Sequence, residues 1–247
     1  MNTERGLERC QAFINCQAQP MLGSHNGEKR LAVTISRQTG SGGHVVAERL
    51  AEYLQAASPK QVCPWTVFDR NLVEKVLEQH HLPESLARLM EEDRISEIAD
   101  TMDELFGLHP PSWTLVRQTA DTILHLAELG NVILLGRGAN VITARLPYVF
   151  NVRLVGSLAR RIQRLEADAG LTTRAARAFI ELEDRGRRRY LKKYFDKDIS
   201  DPLLYHLVLN TDLVSCEQAA RIIGNAVLGM GRRGLVPGGR EVELLNR

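Results

Sequence analysis

The stretch LAVTISRQTGSGGHVVAERL, residues 31–50, decides the fold. It contains an apolar, β-branched run at 32–35, which predicts a buried strand. A glycine-rich turn follows at 40–43, and the next residues have the apolar spacing of a helix. A strand, a glycine loop and a helix in this order bind phosphates, because glycines let successive backbone N–H groups point into one concavity at the positive end of the helix.

This loop departs from the usual phosphate-binding pattern, G-x-x-x-x-G-K-[ST], at its chemical positions. Arg37 stands at the first glycine, Gly43 at the lysine and His44 at the hydroxyl residue, and a register one residue longer puts Val45 at the hydroxyl position. Phosphate binding by this loop would therefore rely on backbone N–H groups. The alternative interpretation of the loop is an ordinary strand-to-helix turn without a ligand. His44 is expected to start the helix and not to act as a base. The candidate phosphate-binding residues are Thr39, Gly40, Ser41, Gly42, Gly43, His44 and Val45.

The composition limits the class of protein. A chain of 247 residues can hold one α/β domain with an inserted part, or two small domains. The net charge of +2 argues against nucleic-acid binding. Residues 1–30 lack the apolar core of a signal peptide, and no apolar run reaches the roughly 18 residues of a membrane span. The cysteines form no C-x-x-C pair and predict reduced thiols in the cytoplasm, without a disulfide frame or zinc site: Cys10, Cys16, Cys63 and Cys216.

Strands and helical stretches alternate along the chain, which predicts parallel βαβ units. We expect an N-terminal helix and linker over 1–29, a main domain over 30–230 and a disordered tail over 231–247. The predicted strands are 31–35, 62–68, 132–135, 149–155 and 206–209. The predicted helical parts are 44–56, an acidic insert over 74–112, 114–129, a basic stretch over 157–195 and a last helix to about 230, opened by a Ser215-x-x-Gln218 capping box.

Charge is distributed unevenly between two of these helical parts. Residues 74–104 carry ten acidic and three basic side chains, whereas 156–193 carry eleven basic and five acidic ones. A solvated helix face is the simplest interpretation of such a run. The concentration of arginines beside Asp184 instead favours a segment that handles phosphates.

Polar residues follow three of the predicted strands. The glycine loop follows the first, Asp69-Arg70 the second and Gly136-Arg137-Gly138 the third. Because parallel sheets bind ligands at the carboxyl ends of their strands, we expect these residues to converge on one crevice. A helix cap is the alternative role for Asp69.

Five segments, in this order, resemble the cytidylate kinase-like proteins, a branch of the P-loop nucleoside monophosphate kinases. The segments are TISRQTGSGGHVVAERLA, FDRNLVEKV, LLGRGANVI, EDRGRRRYLKKYF and DPLLYHLVLNTD. The resemblance implies a three-layer α/β sandwich with a five-stranded parallel sheet and helical NMP-binding and lid segments, the lid being 157–195. It also implies ATP and Mg²⁺ as cofactors and a nucleotide acceptor.

The resemblance assigns roles residue by residue. Asp69 would lie near the acceptor phosphate and the metal, with Arg70 beside it. Arg137 would bind the acceptor phosphate, Asp184 the cytosine edge, and Arg185 and Arg188 the transferring phosphates. The relatives have a loop lysine, a hydroxyl residue and Arg-Asp after the third strand, where this chain has Gly43, His44-Val45 and Arg137-Gly138.

The hypothesis that follows is that Arg37 partly replaces the missing lysine. The expected function is ATP-dependent phosphoryl transfer to CMP, dCMP or a related small acceptor. Two alternatives remain at this stage. One is a nucleotide-binding regulatory module without turnover, and the other is a nucleic-acid-associated protein that uses the basic helix.

Overall fold

The computed structural model describes residues 12–13, 15–16, 31–58, 63–69 and 114–232. Within them, one parallel sheet has the strand order β2-β3-β1-β4-β5, and the five-stranded parallel sheet that the resemblance implied is confirmed. The register places Ile35 of the central strand opposite Leu135 on one side and Val152 on the other. The strands are β1 (Ala32–Arg37), β2 (Thr66–Phe68), β3 (Val132–Leu135), β4 (Val149–Val155) and β5 (Leu207–Asn210).

Helices cover both faces of the sheet and make a three-layer sandwich. On one face, Ile123 packs with Phe68 and Leu134; on the other, Leu50 and Ile223 pack with the central strand. None of the helices in the described part of the chain combines the length and hydrophobicity needed to cross a membrane. The helices are α1 (Gly43–Ala57), α2 (Thr114–Leu129), α3 (Ala139–Ile142), α4 (Leu158–Ala169), α5 (Thr173–Phe195) and α6 (Cys216–Arg232), with a 3-10 turn at Pro202–Leu204.

Several element boundaries differ from the predicted ones. β2 begins at Thr66 and not at 62, because its pairing with β3 starts there. The basic stretch is two helices, since Gly170 ends α4 in the left-handed conformation. β5 lies one residue later than predicted, and α6 continues through 231–232, which had been assigned to the tail. The predictions for 1–11, 17–30, 70–113 and 233–247 fall outside the described residues.

The predicted capping box at the start of α6 is confirmed. The Ser215 N–H donates to Gln218 Oε1 and the Gln218 N–H donates to Ser215 Oγ, both at 3.2 Å. Two of the amides that a helix N-terminus leaves without backbone partners are thereby satisfied.

The expectation of four reduced cysteines is wrong for one pair. Cys16 and Cys63 form a disulfide across 47 residues, with their Cα atoms 5.6 Å apart, whereas Cys216 is free. Such a long separation has no local sequence signature, so only the folded chain reveals it. The neighbouring Phe13 is fully buried with its ring centroid 5.5 Å from that of Phe68, so Phe13 is part of the core. The cysteine argument for a cytoplasmic location does not hold for this pair.

We expect Cys63→Ser to lower the free energy of unfolding by about 4 kcal/mol, because a cross-link closing a loop of this size restricts the unfolded chain. Thermal unfolding without reductant measures the change. Cys216→Ser is the control and should leave the melting temperature nearly unchanged. Equal melting temperatures for the Cys63→Ser and wild-type proteins, or the absence of a Cys16–Cys63 peptide in a non-reducing digest, would contradict the prediction.

Candidate functional site

The glycine loop turns tightly between β1 and α1. The Ser41 N–H and hydroxyl both donate to the Gln38 carbonyl, at 3.2 and 2.8 Å. Gly40 and Gly42 have φ angles of 77° and 81°, the left-handed region that glycine tolerates best. Gly42 is the N-cap of α1 and supplies no side-chain cap. The first amides of the helix therefore face a ligand site without a protein side chain that caps them.

The back of this loop is held by α4. Arg161 donates from Nη1 to the Thr39 carbonyl at 3.2 Å, and Arg164 donates to the Gly40 carbonyl at 3.4 Å. A Cβ at Gly40 would lie 2.7 Å from the Arg161 carbonyl oxygen. Because the loop carbonyls are bound on the α4 side, the loop keeps its shape without a ligand. Sequence reasoning missed Arg161 and Arg164, although their spacing of three places them on one helix face.

Arg37 connects the glycine loop to the turn that follows β3. A Cβ at Gly43 would lie 2.9 Å from Arg37 Cγ, and one at Gly136 would lie 2.1 Å from Arg37 Nη1. The side chain therefore passes over one glycine and ends at the other. Gly43 stands where the usual loop has its lysine. The stem of Arg37 therefore fills the space that the Cβ of a lysine at this position would need.

Arg37 keeps its charge at neutral pH in an environment that lowers its pKa. Burial, with the positive charges of Arg187 and Arg137, lowers its pKa to about 10, while Asp69 and Glu183 oppose the decrease. At neutral pH the guanidinium remains protonated. A partly desolvated cation among other cations favours an anionic ligand.

The turn Gly136-Arg137-Gly138 is backbone-strained. Its three residues have φ angles of 92°, 56° and 72°, and the middle one is not a glycine. A non-glycine residue in this region costs on the order of 1 kcal/mol, and such residues cluster at functional sites. The strain places Arg137 on the wall of a cavity.

This cavity, of about 350 Å³, lies between the β3 turn and the lid helix α5. Asn140 is 4% exposed, and its Nδ2 has no hydrogen-bond partner within the part of the chain that the structure describes. A buried amide donor of this kind is costly unless a ligand or water accepts from it. Asn140 was not among the predicted site residues. The lining residues are Ser36, Arg37, Gly136, Arg137, Gly138, Asn140, Leu182, Glu183, Gly186, Arg187, Arg189, Tyr190, Leu191 and Ile199.

The three strand ends converge as predicted. Arg37 reaches the β3 turn, and the charge of Asp69, which follows β2, raises the pKa of Arg37 against the effect of burial. Asp69 also acts on His44 in the first turn of α1, where partial desolvation lowers the pKa of the imidazole and Asp69 opposes that decrease. Arg70, which was predicted to contact the acceptor, lies outside the described residues.

The lid helix α5 is attached to the glycine loop through Asp184. Asp184 Oδ1 accepts from the Thr39 N–H at 2.8 Å and from the Thr39 hydroxyl at 2.7 Å. Its Oδ2 accepts from Arg161 Nη1 at 2.7 Å, and Arg187 Nη1 lies 3.1 Å from Oδ1. Burial alone would raise the pKa of this carboxyl, but the Thr39 and Arg161 hydrogen bonds lower it below its ordinary value. The carboxylate thus joins three elements and does not line the 350 Å³ cavity.

The other predicted lid arginines have different positions. Arg185 and Arg188 are both exposed; Arg188 lines a second, smaller cavity next to the first, and Arg185 lines neither. Arg187, which the predicted site omitted, lines both cavities. Tyr190 and Tyr194 pack against each other with ring centroids 5.2 Å apart, and Tyr190 also lines the larger cavity.

The charged groups suit a nucleotide with Mg²⁺. The larger cavity is lined by four arginines and one carboxylate, Glu183. Arginine forms bidentate, permanently charged contacts with phosphate. Mg²⁺ in such sites takes one or two carboxylates and completes its shell with phosphate oxygens and water. Asp69 can supply such a carboxylate.

We expect Asp184→Asn to lower the free energy of unfolding by about 2 kcal/mol at pH 7, because hydrogen bonds to a charged group are lost. Since the folded-state pKa is lowered, the ionised carboxylate stabilises the fold fully at pH values above its ordinary pKa of 3.8. This contribution to stability disappears as the pH falls through the folded-state pKa. Melting temperatures measured from pH 7 to 3 should converge for the two proteins only at the acid end. Exposed Asp168→Asn is the control, and a wild-type–variant difference that stays constant down to pH 3 would contradict the prediction.

Comparisons with known proteins agree with this geometry. The model of the cytidylate kinase-like family matches residues 32–213. No curated protein matches the sequence. An uncharacterized protein from Eubacterium ventriosum has a similar solved structure, with 20% sequence identity and a TM-score of 0.63, covering 81% of this chain and 99% of that one.

Two kinases of known structure are more distant. A shikimate kinase from Bacteroides thetaiotaomicron has 16% identity and a TM-score of 0.39, covering 82% of this chain and 95% of that one. A gluconokinase from Sinorhizobium meliloti has 14% identity and a TM-score of 0.38, covering 84% and 95%. The assignment therefore rests on the family match, together with the sheet order and the glycine loop after the central strand. The chain belongs to the cytidylate kinase-like family of P-loop proteins.

Proposed function

We propose that the protein transfers the γ-phosphoryl group of ATP to a nucleoside monophosphate, with CMP or dCMP as the first candidates. Membership in the family supports nucleotide-dependent phosphoryl transfer in general. The observation that carries the proposal is the position of Arg37, which extends from an uncapped glycine loop to the strained turn of Arg137 at one cavity. A donor site and an acceptor site are thereby linked by a single permanent cation.

On the donor side, the α1 amides and the loop from Thr39 to Val45 would bind the ATP phosphates. Arg37 would supply the charge that a loop lysine supplies in related proteins. Phosphoryl transfer requires positioning and charge neutralisation more than covalent help from the protein, so a guanidinium held by packing suits this role. Mg²⁺, held by Asp69 and the phosphates, would add neutralising charge when bound.

On the acceptor side, Arg137 would bind the monophosphate. The cavity volume of about 350 Å³ suits a small ligand, and its wall combines guanidinium groups with Leu191, Ile199 and Tyr190. The Asn140 amide and the Glu183 carboxylate are the neutral and acidic groups that a base or sugar would meet there. Arg185 and Arg188 remain candidates for the transferring phosphates, and a base-reading role for Asp184 requires that it leave its contacts with Thr39 and Arg161.

The lid contacts support transfer in preference to hydrolysis. Asp184 attaches α5 directly to the loop, and this covers the site between them. A covered site excludes water, which would otherwise compete with the acceptor for the phosphoryl group.

The decisive experiment is a coupled ADP-release assay with Mg-ATP and a panel of CMP, dCMP, UMP, AMP and GMP. We expect ADP release that depends on the acceptor, with cytidylates the best substrates. ATP binding in calorimetry without ADP release for any acceptor would instead indicate a nucleotide-binding regulatory module. Steeply salt-dependent binding of oligonucleotides would indicate a nucleic-acid-associated protein.

Arg37→Ala should lower kcat/KM at least 100-fold, because a transition-state charge contact of this type contributes roughly 3 kcal/mol. Gly43→Lys alone should also lower activity, since its Cβ would lie 2.9 Å from Arg37 Cγ. In the Arg37→Ala background the same Gly43→Lys change should restore part of the activity. Arg49→Ala, on an exposed part of α1, is the control, and normal turnover by Arg37→Ala would refute the role of Arg37.

A further inference from the structure

A second cavity, of about 70 Å³, lies on the β4 side of Arg37 and Arg187. Both arginines, together with Ile199, line both cavities. The smaller space can hold a tetrahedral anion and is too small for a nucleoside. Its lining residues are Arg37, Gln38, Arg153, Asp184, Arg187, Arg188, Ile199 and Ser200.

Arg153 is the unexpected member of this group. It lies within β4 opposite Ser36 of β1, and the residue is only 7% exposed. Its Nη1 donates to Ser36 Oγ at 2.8 Å, and its guanidinium carbon lies 5.7 Å from the centroid of the Tyr205 ring. The Tyr205 hydroxyl donates to the Ile199 carbonyl at 2.9 Å, which fixes the ring. The guanidinium is therefore held in place by neutral groups.

Among the described residues that line the cavity, positive charges outnumber negative ones. Four guanidinium groups line it against one carboxylate, that of Asp184, whose oxygens already accept from Thr39, Arg161 and Arg187. Among the described residues, none of Arg37, Arg153 and Arg188 has a carboxylate within 4 Å. Asp198 is close enough for Arg153 to affect its pKa, but its carboxylate accepts from the Ser200 N–H and hydroxyl.

A buried cation such as Arg153, with no carboxylate within 4 Å among the described residues, is unfavourable unless an anion accompanies it. Arginine recognises phosphate through paired, parallel N–H donors, and a planar group held in one orientation does this at low entropic cost. We propose that the smaller cavity is a phosphate-binding subsite centred on Arg153 and adjacent to the 350 Å³ cavity. We name it the Arg153 subsite.

The phosphate can come from two sources. Inorganic phosphate would bind whether or not the protein is a kinase. A phosphate group of a bound nucleotide would fill the same space only if the proposed function is correct, and for this source alone the inference rests on that function. Binding measurements without turnover therefore separate failure of the Arg153 subsite from failure of the proposed function.

The test is a titration of the full chain with sodium phosphate, in which binding is measured by thermal shift and calorimetry. A titration with sodium chloride at equal ionic strength is the reference. We expect a saturable phosphate response in the wild type and at least a tenfold weaker affinity in Arg153→Gln. Arg160→Gln removes an exposed arginine of α4 and should bind like the wild type. Arg188 also lines the cavity, and Arg188→Gln should weaken phosphate binding at least tenfold. This variant tests the subsite if Arg153→Gln does not fold.

Repeating the titration with saturating ATP or CMP identifies the source. A tenfold loss of phosphate affinity with nucleotide present assigns the subsite to a nucleotide phosphate, and an unchanged affinity assigns it to free phosphate; both results support the proposal. Equal responses to phosphate and chloride would overturn it. A phosphate response that survives fully in the folded Arg153→Gln protein would belong to the glycine loop and would also overturn it.

Discussion

The site depends on one steric arrangement, in which the side chain of Arg37 passes over Gly43 and ends against Gly136. Both positions lack a Cβ, and a Cβ at either would overlap the arginine. The arrangement links the glycine loop after β1 to the Gly136-Arg137-Gly138 turn after β3. It also explains the absence of the loop lysine in spatial terms, because the arginine stem and a lysine at residue 43 compete for the same volume.

A high density of positive charge follows from this arrangement. Arg137 and Arg187 lower the pKa of Arg37, whereas Asp69 and Glu183 raise it. Arginines gathered in this way are typical of a site that binds phosphates. Asp184 limits the repulsion on the lid side by pairing with Arg161 and Arg187.

Local patterns were sufficient to predict much of the fold. The strand at 132–135 and the helix at 114–129 were predicted at their observed bounds, because apolar periodicity and β-branched runs act over a few residues. The two-residue difference at the end of α6 is of the size expected for helix ends. The disulfide between Cys16 and Cys63 was missed because pairing across 47 residues depends on the tertiary contact that brings Phe13 against Phe68.

The amino-acid sequence by itself determined the glycine-rich loop between the first strand and its helix and the parallel βαβ organisation, since these depend on glycine positions and hydrophobic period, while the family was identified from five matching segments. Only the tertiary structure decided which charges meet. Arg153 is hidden in an apolar strand pattern, Asn140 in a short helix and Asp184 far along the chain from Thr39, its partner. Side-chain encounters between distant elements depend on packing distances of a few ångströms, and no spacing within the sequence encodes these.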